Sequence, residues 1–204
     1  MSFIPVIDGK VHHFGACGLA NGLAILTDKE TWSYWDHITG EAFAGSKKGH
    51  KLEVGPLQIT TVEAVMAEDP ETPIFISRYR SLAFRIFQRV TKGGFIQSKG
   101  FIPPPFFSTM HQEVDPRLPK LEQGLGIMLE NGEAKYYPMR TIPKQGSIED
   151  EWGGGILVLA RGEIDRVPYA TWKASGQRPM QMLSRWYGFS FTYPKCEVYQ
   201  SKED

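Results

Sequence analysis

Two cysteines in 204 residues, Cys17 and Cys196, are too few and too far apart for a disulfide framework or a CxxC redox or zinc motif. Net charge is lacking too. Lys and Arg number 23, as do Asp and Glu, so no global field draws the chain to nucleic acid, and none is expected as a partner. The longest apolar run, GGGILVLA, is too short to cross a bilayer, so no transmembrane segment is expected. MSFIPVIDGK has no basic lead before an apolar stretch, so no secretory leader is expected either. A cytoplasmic protein with reduced thiols fits these absences. Gly153-Gly154-Gly155 follows neither a GxGxxG nor a Walker pattern, which leaves nucleotide binding unsupported.

What is present points to strands. Glycine (21) and proline (14) are somewhat abundant and punctuate short β-branched and aromatic stretches. The expected fold is α+β: one strand-rich domain over 1–204 of antiparallel hairpins with about two helices, and a frayed tail at 200–204. GLAILTD, TWSYWDH and GEAFAG read as a meander. A two-residue turn at Thr39-Gly40 would set Trp35 opposite Ala44 and His37 opposite Ala42. KLEVGPLQIT reads as a strand pair broken at Gly55-Pro56, and PIFIS as a short buried strand. GLGIMLE-NG-EAKYYPM is the clearest hairpin, with Asn-Gly suited to a type I′ turn, and GGGILVLA-RG-EIDRVPYA is a second. RWYGFSFTYPKCEVYQ reads as a closing aromatic strand.

One helix is expected near 61–69, with Thr60 and Glu63 as a capping box and Pro70 as its stop. The other is expected near 78–92, where Tyr79, Leu82, Ala83, Ile86, Phe87 and Val90 share one face. No acidic residue lies between Glu71 and Glu113, so Arg78, Arg85 and Arg89 make this the basic region, running into the loop FIPPPFF at 101–107. The arginines either sit in solvent or bind an anionic ligand or surface.

The densest chemistry lies in residues 14–45. Cys17, Asp28 and His37 combine thiolate, carboxylate and imidazole, a donor set suited to zinc, copper or iron, with His12 and His13 at its entrance. The same residues fit a nucleophilic Cys17 with His13 or His37 as base and Asp28 in support. They also fit a buried thiol, a turn aspartate and a hydrogen-bonded histidine. Asp28, Glu30, Asp36 and Glu41 supply possible acid–base pairs, though three fall at predicted turns. Trp32, Tyr34 and Trp35 alternate along a strand, so at least one faces inward, and Trp32 or Trp35 could stack a ligand.

FG-A-CGL, followed by D-K-ET-W-S-Y-W and ITGEAFAG, resembles the bacterial and archaeal domain of unknown function 3179 family. T-V-E-A-V-M-A-EDP-E-T-P-I-F, GIMLENGEAKYYPM and the aromatic segment before TYPKCEVY fit the same pattern, so the resemblance covers most of 14–199. It implies a mixed, strand-rich fold and brings no activity. The family pattern has a Cys-Pro-x-Cys element upstream and a serine where this chain has Cys17, so no role transfers from those positions.

The expected function is a small-molecule enzyme or ligand-binding protein with its site in the meander, at Cys17, Asp28, Trp35 and His37, with or without a transition metal (zinc, copper or iron). Arg85 and Arg89 are the candidate ligand-binding residues of the basic helix. The alternative is a non-catalytic interaction domain using that helix and the 101–107 loop.

Overall fold

The computed structural model describes residues 2–55, 57–76, 82 and 108–201. Among them are fifteen strands in several sheets, antiparallel apart from one short parallel pairing, and two α-helices. The expected basic helix, with Arg85 and Arg89, and the 101–107 loop lie outside the described residues.

The N-terminal part holds a four-stranded meander of β4 (Phe14–Ala20), β5 (Leu23–Asp28), β6 (Tyr34–Asp36) and β7 (Ala42–Ala44). Before it come β1 (Ser2–Ile4), β2 (Val6–Ile7) and β3 (Lys10–Val11); β2 pairs with β3, and β1 pairs with β8 (Glu53–Gly55). One face of the meander packs Trp35, Ala42 and Leu26 against Ile7, Leu52, Phe3 and Phe14. The β6–β7 turn is longer than two residues. Asp36 accepts the backbone N–H groups of Ile38 and Thr39, at 2.7 and 2.8 Å. The longer turn sets Trp35 opposite Ala42, not Ala44, and places His37 in the turn.

The C-terminal part carries a sheet in the order β14–β9–β10–β15: Met180–Arg185, Gln123–Met128, Ala134–Pro138 and Glu197–Val198. The β9–β10 hairpin is present. Only Gly132 of its Asn-Gly pair has positive φ, at 87°, so the turn is not type I′. A three-stranded sheet of β11 (Ser147–Trp152), β12 (Gly155–Arg161) and β13 (Pro168–Trp172) lies over one face. Between them pack Leu125, Ile127, Tyr137, Trp152, Leu157 and Leu159.

The other face is covered by α2 (Trp186–Thr192), in the segment where an aromatic strand was expected. Trp186, Phe189 and Tyr193 recur at helical spacing and seat the helix on Tyr136 and Met128, so periodicity prevails over the strand preference of aromatic residues. Gly126 exists for this contact, since a Cβ there would overlap the Phe189 ring. On its far side α2 meets the meander: Tyr187 packs on Gly22, and a Cβ added at Gly188 would lie 3.1 Å from Leu23.

Three shorter expectations are revised. The first helix, α1 (Val62–Glu68), is capped by Thr61, whose side chain accepts from Ala64 N–H, not by Thr60. Thr60 instead donates to Asp165 at 2.7 Å. Residues 57–60 form no strand after β8. Residues 73–76 are not a buried strand: Phe75 is 94% exposed and Ile76 77%.

Candidate functional site

Asp28 ends β5 and is wholly buried. Its Oδ1 accepts Trp35 Nε1–H at 2.9 Å and Ser33 N–H at 3.1 Å. Its Oδ2 accepts Thr31 N–H and faces His12 Nδ1, both at 2.9 Å, and the Thr31 hydroxyl reaches both oxygens. Burial pushes the carboxyl pKa up, but the bonds from Trp35, Thr31 and His12 outweigh it and hold Asp28 well below the usual carboxylate range. An ionised carboxylate only accepts, so the shared proton sits on His12 Nδ1.

This knot follows from the local sequence. An aspartate followed by Thr31 and Ser33 folds the chain back on its own carboxylate, with Asp28 C=O accepting Trp32 N–H at 2.9 Å. Trp32 is thereby held at φ 56°, a left-handed conformation unusual for a bulky residue, and is 71% exposed. The Ser33 hydroxyl bonds Thr31 and accepts Lys47 N–H, tying the knot to the turn after β7. Gly45 in that turn has φ 94°, and a Cβ on it would strike Ser33.

Beside the knot, Glu30 faces both histidines. Its Oε1 is 2.7 Å from His13 Nδ1, its Oε2 accepts His13 N–H at 2.9 Å, and Oε2 is 3.8 Å from His12 Nδ1. Hydrogen bonding to His13 lowers the Glu30 pKa. Ligating atoms of His12, Asp28 and Glu30 lie within 4.8 Å of one another, the one such trio of potential metal ligands among the described residues. Burial is graded across it: His12 and Asp28 lie inside, while the Glu30 side chain is 34% exposed.

The expected trio of Cys17, Asp28 and His37 is not assembled into such a group. Cys17 is the extra residue of a bulge in β4, exposed, with its thiol on Ile25 C=O at 3.4 Å. His37 sits in the β6–β7 turn, its Nδ1 buried with no hydrogen-bond partner. Trp35 is fully buried with its N–H on Asp28, so it is core and offers no stacking face. Trp32 keeps an open one. Cys196 is buried behind α2, and burial raises its thiol pKa.

A strand-rich α+β architecture, with a buried aspartate binding histidine at the corner of an N-terminal meander, defines the class of protein. The chain belongs to the family described as Protein of unknown function (DUF3179), whose profile matches residues 1–194. No curated protein and no solved structure matches it. Among the described residues no helix is long and apolar enough to cross a membrane.

Proposed function

We propose that the protein binds a divalent transition-metal ion at the corner of the meander, through His12, Asp28 and Glu30, and through the ion a small-molecule ligand. The observation that carries this reading is the approach of those three ligating groups to within 4.8 Å. The ion would take the place of the proton that His12 Nδ1 shares with Asp28 Oδ2, and that proton would pass to Nε2 or to solvent. The bonds from Trp35, Ser33 and Thr31 then remain as the outer support that orients a ligating carboxylate. One imidazole and two carboxylates suit zinc, manganese or ferrous iron better than the softer copper(I). Three protein ligands leave a coordination position for water or a small molecule, entering past the part-exposed Glu30. His13, bonded to Glu30 and 71% exposed, orients that carboxylate.

The test is calorimetric titration of chelator-treated protein with Zn²⁺ and Mn²⁺. The expected result is one ion per chain, with affinity falling in Glu30→Gln by at least the about 10–100-fold that loss of even an outer-shell partner costs. Affinity also falls as pH drops, because protons compete with the ion for its ligands. No saturable binding near neutral pH, or full binding by Glu30→Gln and His12→Asn together, overturns the reading.

A further inference from the structure

A second site lies where two sheet edges meet. β14 is an edge strand of the four-stranded sheet and β13 of the three-stranded one. The Gln181 side chain joins them, accepting Ala170 N–H at 2.8 Å and donating to Ala170 C=O at 3.1 Å. Leu57 and Gln58 run in front of this junction and close a groove of about 750 Å³ over Met128, Leu129, Trp172 and Met180. Leu57, Gln58, Arg178 and Gln181 also border a narrower recess of about 130 Å³ that reaches Leu125 and Leu183. The larger volume is in the range of small-molecule sites.

The groove is apolar in its floor and cationic at one place. Arg178 borders both spaces, with its guanidinium carbon 4.9 Å from the centroid of the Tyr169 ring. This cation–π contact holds the guanidinium beside the ring and leaves N–H groups for an anion. Among the described residues Arg178 forms no ion pair. The two carboxylates that border the spaces do not meet it: Asp165 accepts from Thr60 and from Val167 N–H, and Glu130 is exposed on the turn after β9. An apolar trough with one acid-free arginine complements a molecule with an apolar body and one anionic end.

We infer that this groove binds a medium- to long-chain monocarboxylate, with the carboxylate on Arg178 and the chain along Met128, Leu129, Trp172 and Met180. Dodecanoate, dodecanol and acetate, titrated separately into the full-length protein below the micellar range, test the inference. Dodecanoate is expected to bind one to one, dodecanol at least tenfold more weakly, and acetate not measurably. Arg178→Gln, at an exposed position, is expected to lower dodecanoate affinity at least tenfold and leave dodecanol unchanged. Met180→Trp fills the trough and is expected to weaken both. The corner variant Glu30→Gln is expected to bind dodecanoate like the wild type, so the two sites fail or stand separately. Equal affinity for acid and alcohol, or an Arg178→Gln variant that binds dodecanoate normally, overturns the inference.

Discussion

Replacing Asp28 by asparagine is the sharpest perturbation the structure offers. The amide keeps one acceptor oxygen and turns the other position into a donor. If the NH₂ group takes the Oδ1 place, it faces the Trp35 indole N–H and Ser33 N–H; in the Oδ2 place it faces Thr31 N–H and His12 Nδ1. Either orientation leaves N–H facing N–H, at Trp35 and Ser33 or at Thr31 (His12 Nδ1 can change tautomer and accept), and strips the charge from every bond that remains, together a loss of about two hydrogen bonds to a charged acceptor. At about 1.5–3 kcal/mol for each bond to a charged group, the gross loss is about 3–6 kcal/mol. Relief from burying the charge offsets part of it, leaving an expected net cost of about 3–5 kcal/mol. That is a large fraction of the about 5–15 kcal/mol that holds a typical domain folded.

The assay is urea and thermal unfolding of wild type and Asp28→Asn, with chelator present so that no bound ion contributes. With about 2–4 °C per kcal/mol for a chain of this size, the midpoint falls by about 6–20 °C. Trp35→Phe, which loses the indole N–H, serves as partner in a double-mutant cycle. The coupling should be at least about 0.5 kcal/mol, because the two groups touch. A midpoint within about 2 °C of wild type would falsify the claim that Asp28 anchors the meander.

Other perturbations have equally definite outcomes. Because the folded Asp28 carboxyl titrates below its ordinary value, its stabilisation is fully present above about pH 4 and drains away as pH falls towards the folded value. Stability–pH curves of wild type and Asp28→Asn should therefore converge in acid; parallel curves would contradict this. Lys135, buried between Asp150 at 2.7 Å and Glu197 at 3.7 Å, should cost about 3–5 kcal/mol when changed to Met, with part recovered by adding Asp150→Asn. No recovery in denaturant melts would mean that the charges are not coupled. Gly126→Ala should destabilise by at least about 1–3 kcal/mol through overlap with Phe189, and a neutral result would refute that packing. In timed alkylation with peptide mapping, exposed Cys17 should be labelled in the native protein and Cys196 only on unfolding. The reverse order would refute the placement of both.

Much of the fold could be read locally. The meander strands and the β9–β10 hairpin announce themselves by alternation and turn residues, and each is present. The segment Trp186–Thr192 misleads because aromatic residues favour strands, while its i, i+3, i+7 spacing of Trp186, Phe189 and Tyr193 is the stronger signal. The β6–β7 register was hidden in Asp36, a turn-capping side chain that lengthens the connection. Asp28 stood out as a site residue, and the Asp-x-x-Thr-x-Ser pattern at Asp28, Thr31 and Ser33 is a readable turn motif. His12 was legible only as a histidine at the entrance of the donor set, because its contact with Asp28, 16 residues away, depends on how β3 and β4 bring the chain past the knot. Cys17 stands out by its chemistry, yet it lies beside Ile25, three residues along β5 from Asp28, and joins no ligand group among the described residues. The groove at Arg178 left no local trace, since its walls come from three distant stretches, at Val54 to Gly55 and Leu57 to Gln58, at Met128 to Glu130, and at Trp172 with Arg178 to Gln181.

The corner of the meander joins two demands that usually conflict. A site needs side chains held rigidly, and rigid side chains have generally spent their polar atoms on the protein itself. Asp28 meets both because a carboxylate has about four lone-pair positions. Most are committed to Trp35, Ser33 and the N–H and hydroxyl of Thr31, groups within seven residues of it that fold with the knot. One on Oδ2 is turned to His12, on the far side of the first hairpin, where the bond depends on a proton that an ion can replace. Anchoring and exchange thus fall on different lone pairs of one residue. It follows that removing the anchoring donors and removing His12 should separate experimentally. Thr31→Ala should cost stability whether or not metal is present, whereas His12→Asn should cost more in the metal-loaded protein than in the stripped one. Equal losses in both states for both variants would show that the corner is a structural knot and nothing more.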